Sequence, residues 1–158
     1  MGGSINRGYD GQGGEQRPAD PEWNIKCDPA GARALLDSGV PLFMMPLDAT
    51  QIRLEGPARE AIFAAGLPLT DQLTLLYHQW VYATRYQTPT LYDPVAVTYS
   101  FRPDLCPATP MRIEVDDQGF THRVSGTPNA QVCLQSNEKG FLDLLAGRLS
   151  GAGPGATR

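Results

Sequence analysis

Two short runs concentrate the residues of this chain that can do chemistry. Glu22-Trp23-Asn24-Ile25 leads into Cys27-Asp28-Pro29, and Leu91-Tyr92-Asp93-Pro94 follows much later. Each sets a carboxylate beside a residue suited to begin a helix, where unpaired backbone N–H groups help to hold a substrate or an ion. Glu22, Trp23 and Asn24 place an acceptor, an aromatic plate and an amide in succession. Those are residue types with which proteins grip a ribose or a base. The competing role is structural, because an acid at a helix start is most often a cap.

Three acids, Glu22, Asp48 and Asp93, are expected at strand or loop ends. Oxygen donors of this kind suit calcium or magnesium, which gather several around one ion, and they suit sugar hydroxyls equally well. The remaining candidates are weaker. His78 falls in a helical pattern and His122 in a hairpin, both read as packed or surface residues. Ser4 and Ser38 lack His and Asp partners at the spacing of a nucleophilic triad. Gly2-Gly3 is not followed by the Gly-Lys-Ser/Thr of a phosphate-binding loop. Tyr77, Trp80, Tyr82 and Tyr86 recur at helical spacing, which favours core packing over a pocket lining.

The elements that must position these residues follow from punctuation and periodicity. Residues 4–21 form a long polar loop, rich in glycine and proline, of a length that usually serves a site. Asp28-Pro29 is an N-cap followed by proline at the first helical position, and the helix should stop at Gly39. Val40 to Leu47 (VPLFMMPL) reads as a strand buried on both faces, as in a parallel sheet. Helices are expected over Pro57 to Ala65 and Thr70 to Tyr86. The second should turn Leu73, Leu76, Tyr77, Trp80 and Val81 inward. Asp93 is expected as the N-cap of a further helix through Ser100. Met111 to Val115 and Phe120 to Val124 flank a Gly-containing turn and predict a β-hairpin. Gln131 to Leu134 suggests another strand. Glu138 to Leu149 predicts a closing helix with Phe141, Leu144, Leu145 and Leu149 inward, and the tail from Ser150 is expected to be disordered.

Composition sets the outer limits. The 158 residues suggest one domain, with 41% hydrophobic and 19% charged residues as in a globular protein. A net charge of −4 with no basic stripe argues against a nucleic-acid partner. No apolar run reaches the roughly 18 residues of a membrane span, and positions 1–20 hold no signal-peptide core. Cys27, Cys106 and Cys133 are odd in number and widely spaced, so they are expected as thiols in a reducing, cytoplasmic setting.

Taken in order, several segments resemble the inosine–uridine preferring nucleoside hydrolases. They are Met1-Gly2-Gly3 with its polar loop, Glu22-Trp23-Asn24-Ile25 with Asp28-Pro29-Ala30, Pro46-Leu47-Asp48-Ala49-Thr50, and Tyr92-Asp93-Pro94-Val95-Ala96-Val97. The set spans residues 1–149 and is specific as a set rather than in any one motif. The resemblance implies an α/β fold, an open Rossmann-like mixed sheet with flanking helices. It implies calcium-dependent hydrolysis of the N-glycosidic bond of a ribonucleoside, giving ribose and a free base. By that resemblance Asp93 would ligate one Ca2+ ion, and Glu22 and Asn24 would hold the ribose hydroxyls with Trp23 between them. Tyr82, Arg85 and Tyr86 would lie where the family has a mobile, base-covering region.

Two departures stand out. Tyr92 occupies the place where some members carry a histidine proposed to protonate the leaving base, and a phenol with a pKa of about 10 is a poorer acid at neutral pH. The family's aspartate-rich N-terminal motif, which would supply most calcium ligands and the catalytic base, has no counterpart here. The chain therefore reads as the C-terminal half of such an enzyme. Alone it is expected to be inactive, with its apolar strand left as an open edge, and to work as a homo-oligomer or with a partner supplying the N-terminal half. A non-catalytic ribose-binding protein and a decayed pseudoenzyme fragment are the alternatives.

Overall fold

A computed structural model describes residues 1–11 and 14–151. In chain order its elements are α1 (Trp23–Cys27), α2 (Pro29–Asp37), β1 (Phe43–Met44), α3 (Leu47–Thr50), α4 (Gly56–Phe63), α5 (Pro68–Thr84), α6 (Tyr92–Tyr99), a 3-10 turn (Pro103–Leu105), β2 (Thr109–Val115), β3 (Thr121–Val124), β4 (Ala130–Val132) and α7 (Glu138–Leu149). They form two compact units. One holds Met1–Ile52 with Tyr92–Asn137, the other Arg53–Leu91 with the residues from Glu138 onward.

The first unit is built on a mixed sheet of order β1-β4-β2-β3. β1 runs parallel to β4, while β2 is antiparallel to both β4 and β3. The expected hairpin is present, with Val115 paired to Thr121 across a turn in which Asp116 Oδ1 accepts from the N–H groups of Gln118 and Phe120. On one face of the sheet Met44, Met111, Ile113, Val115, Ala130 and Val132 pack with Leu36 of α2 into a core joined by Ile5, Ile25 and Ala32. α2 starts as its sequence dictates: Asp28 accepts from the Gly31 N–H at 2.8 Å, and Pro29 opens the helix. It ends before Gly39, whose φ of +76° only glycine adopts cheaply.

The apolar run at Val40 to Leu47 differs from expectation. Only Phe43 and Met44 are strand, Leu47 already begins α3, and Phe43 is 51% exposed. Pro41 and Pro46 bracket the run and lack the N–H groups a longer ladder needs. β1 is also the terminal strand. The carbonyls of Leu42 and Met44 accept from Gln131 and Cys133 on the β4 side. The Met45 carbonyl, pointing to the opposite edge by strand alternation, accepts from Gly2 N–H at 3.2 Å, and Leu47 N–H donates to the Gly3 carbonyl at 2.8 Å.

A second correction concerns the cysteines. Cys106, which ends the 3-10 turn, and Cys133, just past β4, form a disulfide with Cα atoms 5.7 Å apart; both are buried. Their sequence separation of 27 carries no signal, because strand order rather than spacing brings them together. Cys27 is free and exposed.

In the second unit α4 packs against α5 and α7. Phe63 and Tyr77 have ring centroids 5.3 Å apart, and the Arg59 guanidinium lies 4.8 Å from the Tyr77 ring centre. α5 buries its Thr70 and half-buries Leu73, Tyr77, Trp80 and Val81, but Leu76 faces solvent, against expectation. Leu76 lies one residue, about 100°, off the Thr70–Leu73–Tyr77–Trp80–Thr84 stripe. α7 spans the predicted residues with Phe141 buried. No helix among the described residues is long and apolar enough to cross a membrane. The tail expected to be disordered lies, from residue 152, outside the described residues, as do Gln12 and Gly13 of the polar loop.

Candidate functional site

The candidate site grows from the first residues of the chain. Gly3 has φ +85°, a left-handed conformation that favours glycine, and a Cβ there would also push aside the Met44 Cε. Ser4 continues the anchoring: its N–H donates to Thr121 Oγ1 at 2.8 Å, and that hydroxyl returns a bond to the Ser4 carbonyl. Ser4 Oγ donates to the Arg7 carbonyl and accepts from Asp20 N–H, closing both ends of the polar loop around one hydroxyl.

Asp48 is committed to the same loop. From the first turn of α3 it accepts from Ile5 N–H and Asn6 N–H, each at 2.8 Å, and from Asn6 Nδ2 at 3.0 Å. Gln51, one turn on, donates to the Gly8 carbonyl and accepts from Asp10 N–H. Arg7 pairs with Asp10, and Gly8 N–H reaches the Arg17 carbonyl. The loop is thus tied at its base by Gln51 and by Asp48, the latter a residue that the sequence offered as a possible ligand.

Glu22 is the centre of the arrangement. It caps α1 and is 1% exposed, yet carries no unmet bond. Oε2 accepts from Gly3 N–H at 3.1 Å and Ile25 N–H at 3.2 Å. Oε1 accepts from Asn24 N–H at 3.0 Å and from the Tyr9 hydroxyl at 3.4 Å. A buried carboxylate is tolerable only with this many donors around it. Tyr9 completes the cradle by accepting from Trp23 N–H at 3.0 Å. Burial pushes the Tyr9 phenol above its ordinary range; the Trp23 N–H opposes this, and the Glu22 charge adds to it. Tyr9 therefore stays a neutral hydroxyl at physiological pH.

Trp23 and Asn24 stand outward from this cradle. The Trp23 ring is 67% exposed, and Asn24 Nδ2 makes a long 3.3 Å bond to the Met1 carbonyl. The Tyr9 ring meets Tyr92 edge-on, with centroids 6.1 Å apart and planes at 78°. That contact brings the start of α6 to the loop carrying Tyr9. Asp93 sits in the first turn of α6, exposed, and the helix already begins at Tyr92. The expectation of Asp93 as the N-cap is thus corrected; the first turn welcomes an acid and tolerates Pro94. Tyr82, Arg85 and Tyr86 belong to the second unit. There Arg85 ends α5 at φ +65° with its guanidinium 5.0 Å from the Tyr82 ring centre.

The calcium implied by the resemblance is not matched by the donors present. Among the described residues no group of three or more His, Cys, Asp or Glu is placed to hold an ion. Asp48 and Glu22 are engaged by backbone N–H donors, which leaves Asp93 as one exposed carboxylate. An ion taking six to eight oxygens is not held by that alone. His122 Nε2 lies 3.0 Å from Asp116 Oδ2 and holds that carboxyl below its ordinary range, a surface pair on the hairpin. His78 is exposed on α5 beside Tyr77. Sequence reasoning missed Tyr9. Its signal was that it is the sole aromatic residue within the polar loop of residues 4–21.

Known proteins resemble this chain in sequence and in fold. The chain is 29% identical over 150 residues to the pyrimidine-specific ribonucleoside hydrolase RihA of Escherichia coli, covering 81% of this chain and 46% of RihA. Its fold matches a purine-preferring ribonucleoside hydrolase from Gardnerella vaginalis with a TM-score of 0.75 at 25% identity, over 96% of this chain and 51% of that one. A plant nucleoside hydrolase gives the same TM-score at 19% identity, a likeness of fold alone, over 94% of this chain and 52% of that one. The chain spans about half the length of the relatives it matches. The family model of the inosine-uridine preferring nucleoside hydrolases matches residues 1–143, and on that match the chain belongs to this family.

Proposed function

We propose that this chain forms the ribose-holding part of a ribonucleoside N-glycosidase. The observation that carries the reading is the Glu22-Trp23-Asn24 turn. It presents an exposed indole and an exposed amide beside a carboxylate held by three backbone N–H groups and the Tyr9 hydroxyl, with Tyr92 brought near through Tyr9. In this reading Asn24 and Glu22 bind ribose hydroxyls and Trp23 covers one side of the ligand. Tyr92 stands where the leaving base would be protonated. Holding the sugar in one orientation is a large part of the barrier reduction in glycosyl transfer.

The chemistry a calcium ion would supply to such a site is orientation of the ribose diol and activation of water, and the described residues alone do not hold it. Asp93 would contribute one ligand, with further carboxylates coming from outside the described residues, in the same polypeptide or another. A second copy of the chain, or a polypeptide carrying those carboxylates, is the assembly this reading needs. Work in the cytoplasm would require Cys106 and Cys133 to function reduced, since that compartment disfavours disulfides. The lone Asp93 also favours the second reading, a ribose-binding protein without hydrolysis.

The test is ribose release from inosine and uridine by this chain, alone and mixed with the portion of Escherichia coli RihA that it does not match. Release by the mixture only, abolished by Asp93→Asn, is the expected result. Ribose binding with no release in either preparation would favour the non-catalytic reading.

A further inference from the structure

Four donors converge on the Glu22 carboxylate, and they are not equivalent. Three are backbone N–H groups at 3.0 to 3.2 Å, fixed by the α1 cap and by the Gly3 segment. The fourth is the Tyr9 hydroxyl, the longest at 3.4 Å and the one side-chain donor of the set. It is also the one contact that can leave by a side-chain rotation without unwinding a helix end. Its donor is an O–H, the same chemistry a sugar hydroxyl offers.

The loop around Tyr9 is held while its side chain is not enclosed. Gly8 is tied to Arg17 and to Gln51, and Asp10 to Gln51 and Arg7, so the backbone on both sides is fixed. The Tyr9 side chain is half-buried, resting against Glu22, Trp23 N–H and the edge of Tyr92. Glu22 itself has almost no exposed surface, so a ligand hydroxyl reaches it only by taking the place of a present donor.

We infer that the Tyr9 hydroxyl occupies the sugar-hydroxyl position on Glu22 Oε1 and is exchanged for a ligand hydroxyl on binding, which makes Tyr9 a positioning residue for this site. This rests on the reading that Glu22 holds a ribose hydroxyl. No bond is made or broken; one neutral O–H donor replaces another on the same acceptor. The Trp23 N–H loses its Tyr9 acceptor in the exchange. Tyr9 thereby keeps the buried carboxylate satisfied when no sugar is present, and it sets a threshold that a ligand without a correctly placed hydroxyl does not cross.

Calorimetric titration of D-ribose into the chain and into its Tyr9→Phe variant tests the exchange. Phe keeps the ring against Tyr92 and removes the competing hydroxyl. The expected result is ribose binding that tightens by about three- to tenfold in Tyr9→Phe, the worth of one neutral hydrogen bond. In the unmutated chain, NMR should find faster exchange of the Trp23 amide proton when ribose is added, a readout independent of the variant's folding. Ribose bound equally or less tightly by Tyr9→Phe, or a Trp23 amide unaffected or slowed by ribose, overturns the inference and leaves Glu22 as a ribose acceptor. No ribose binding by either protein overturns both together.

Discussion

At the residue scale the site turns on Glu22 having two duties. It caps α1 and ties the Gly3 segment to it, and the same carboxylate is the acceptor proposed for the sugar. Substitution therefore affects folding as well as binding. Glu22→Gln replaces one acceptor oxygen by an amide facing backbone N–H groups. It should cost about 1–3 kcal/mol of unfolding free energy, the penalty of leaving buried donors unmet, measured by denaturant titration. An unchanged midpoint would mean that the cap contributes little. Asp48 illustrates the opposite lesson. Its sequence position suggested a ligand, but three donors from Ile5 and Asn6 consume it in holding the loop.

At the element scale, the parts set by local chemistry were readable and those set by pairing were not. Asp28-Pro29, Gly39, the Asp116–Gly119 turn and the closing helix over Glu138–Leu149 each announce themselves through a cap, a left-handed glycine or a clear apolar period. The strand at Val40 to Leu47 was overextended, because its apolar character gave no hint that Pro41 and Pro46 would limit it to Phe43 and Met44. The Cys106–Cys133 bond was invisible for a different reason: it depends on β4 lying beside the segment after α6. That bond closes a loop of 27 residues linking the end of the α6 region to the sheet. Replacing both cysteines by alanine should lower stability by about 3.5 kcal/mol on the chain-entropy account. Denaturation with and without reductant checks this, and identical curves would mean that the bond constrains nothing.

At the scale of the whole molecule, the family was legible because its segments keep their order along the chain, and the family match over residues 1–143 bears that out. Parts of the site were legible too. Glu22, Trp23 and Asn24 come together at one helix start as their adjacency required, and Tyr92 is drawn toward them by Tyr9. Tyr82, Arg85 and Tyr86 fall in the other compact unit, a division that sequence order alone did not show. Asp93, expected as a metal ligand, stands exposed in a first helical turn without the companions an ion needs among the described residues. The central claim is therefore about sugar binding rather than metal chemistry. Asn24 tests it most directly, because its side chain is exposed and its removal should spare the fold. Calorimetric titration of inosine and uridine into the chain and into Asn24→Ala should find binding of at least one nucleoside that weakens about tenfold in the variant, with thermal unfolding unchanged. Nucleoside affinity indifferent to Asn24→Ala, or no affinity in either protein, would contradict the account.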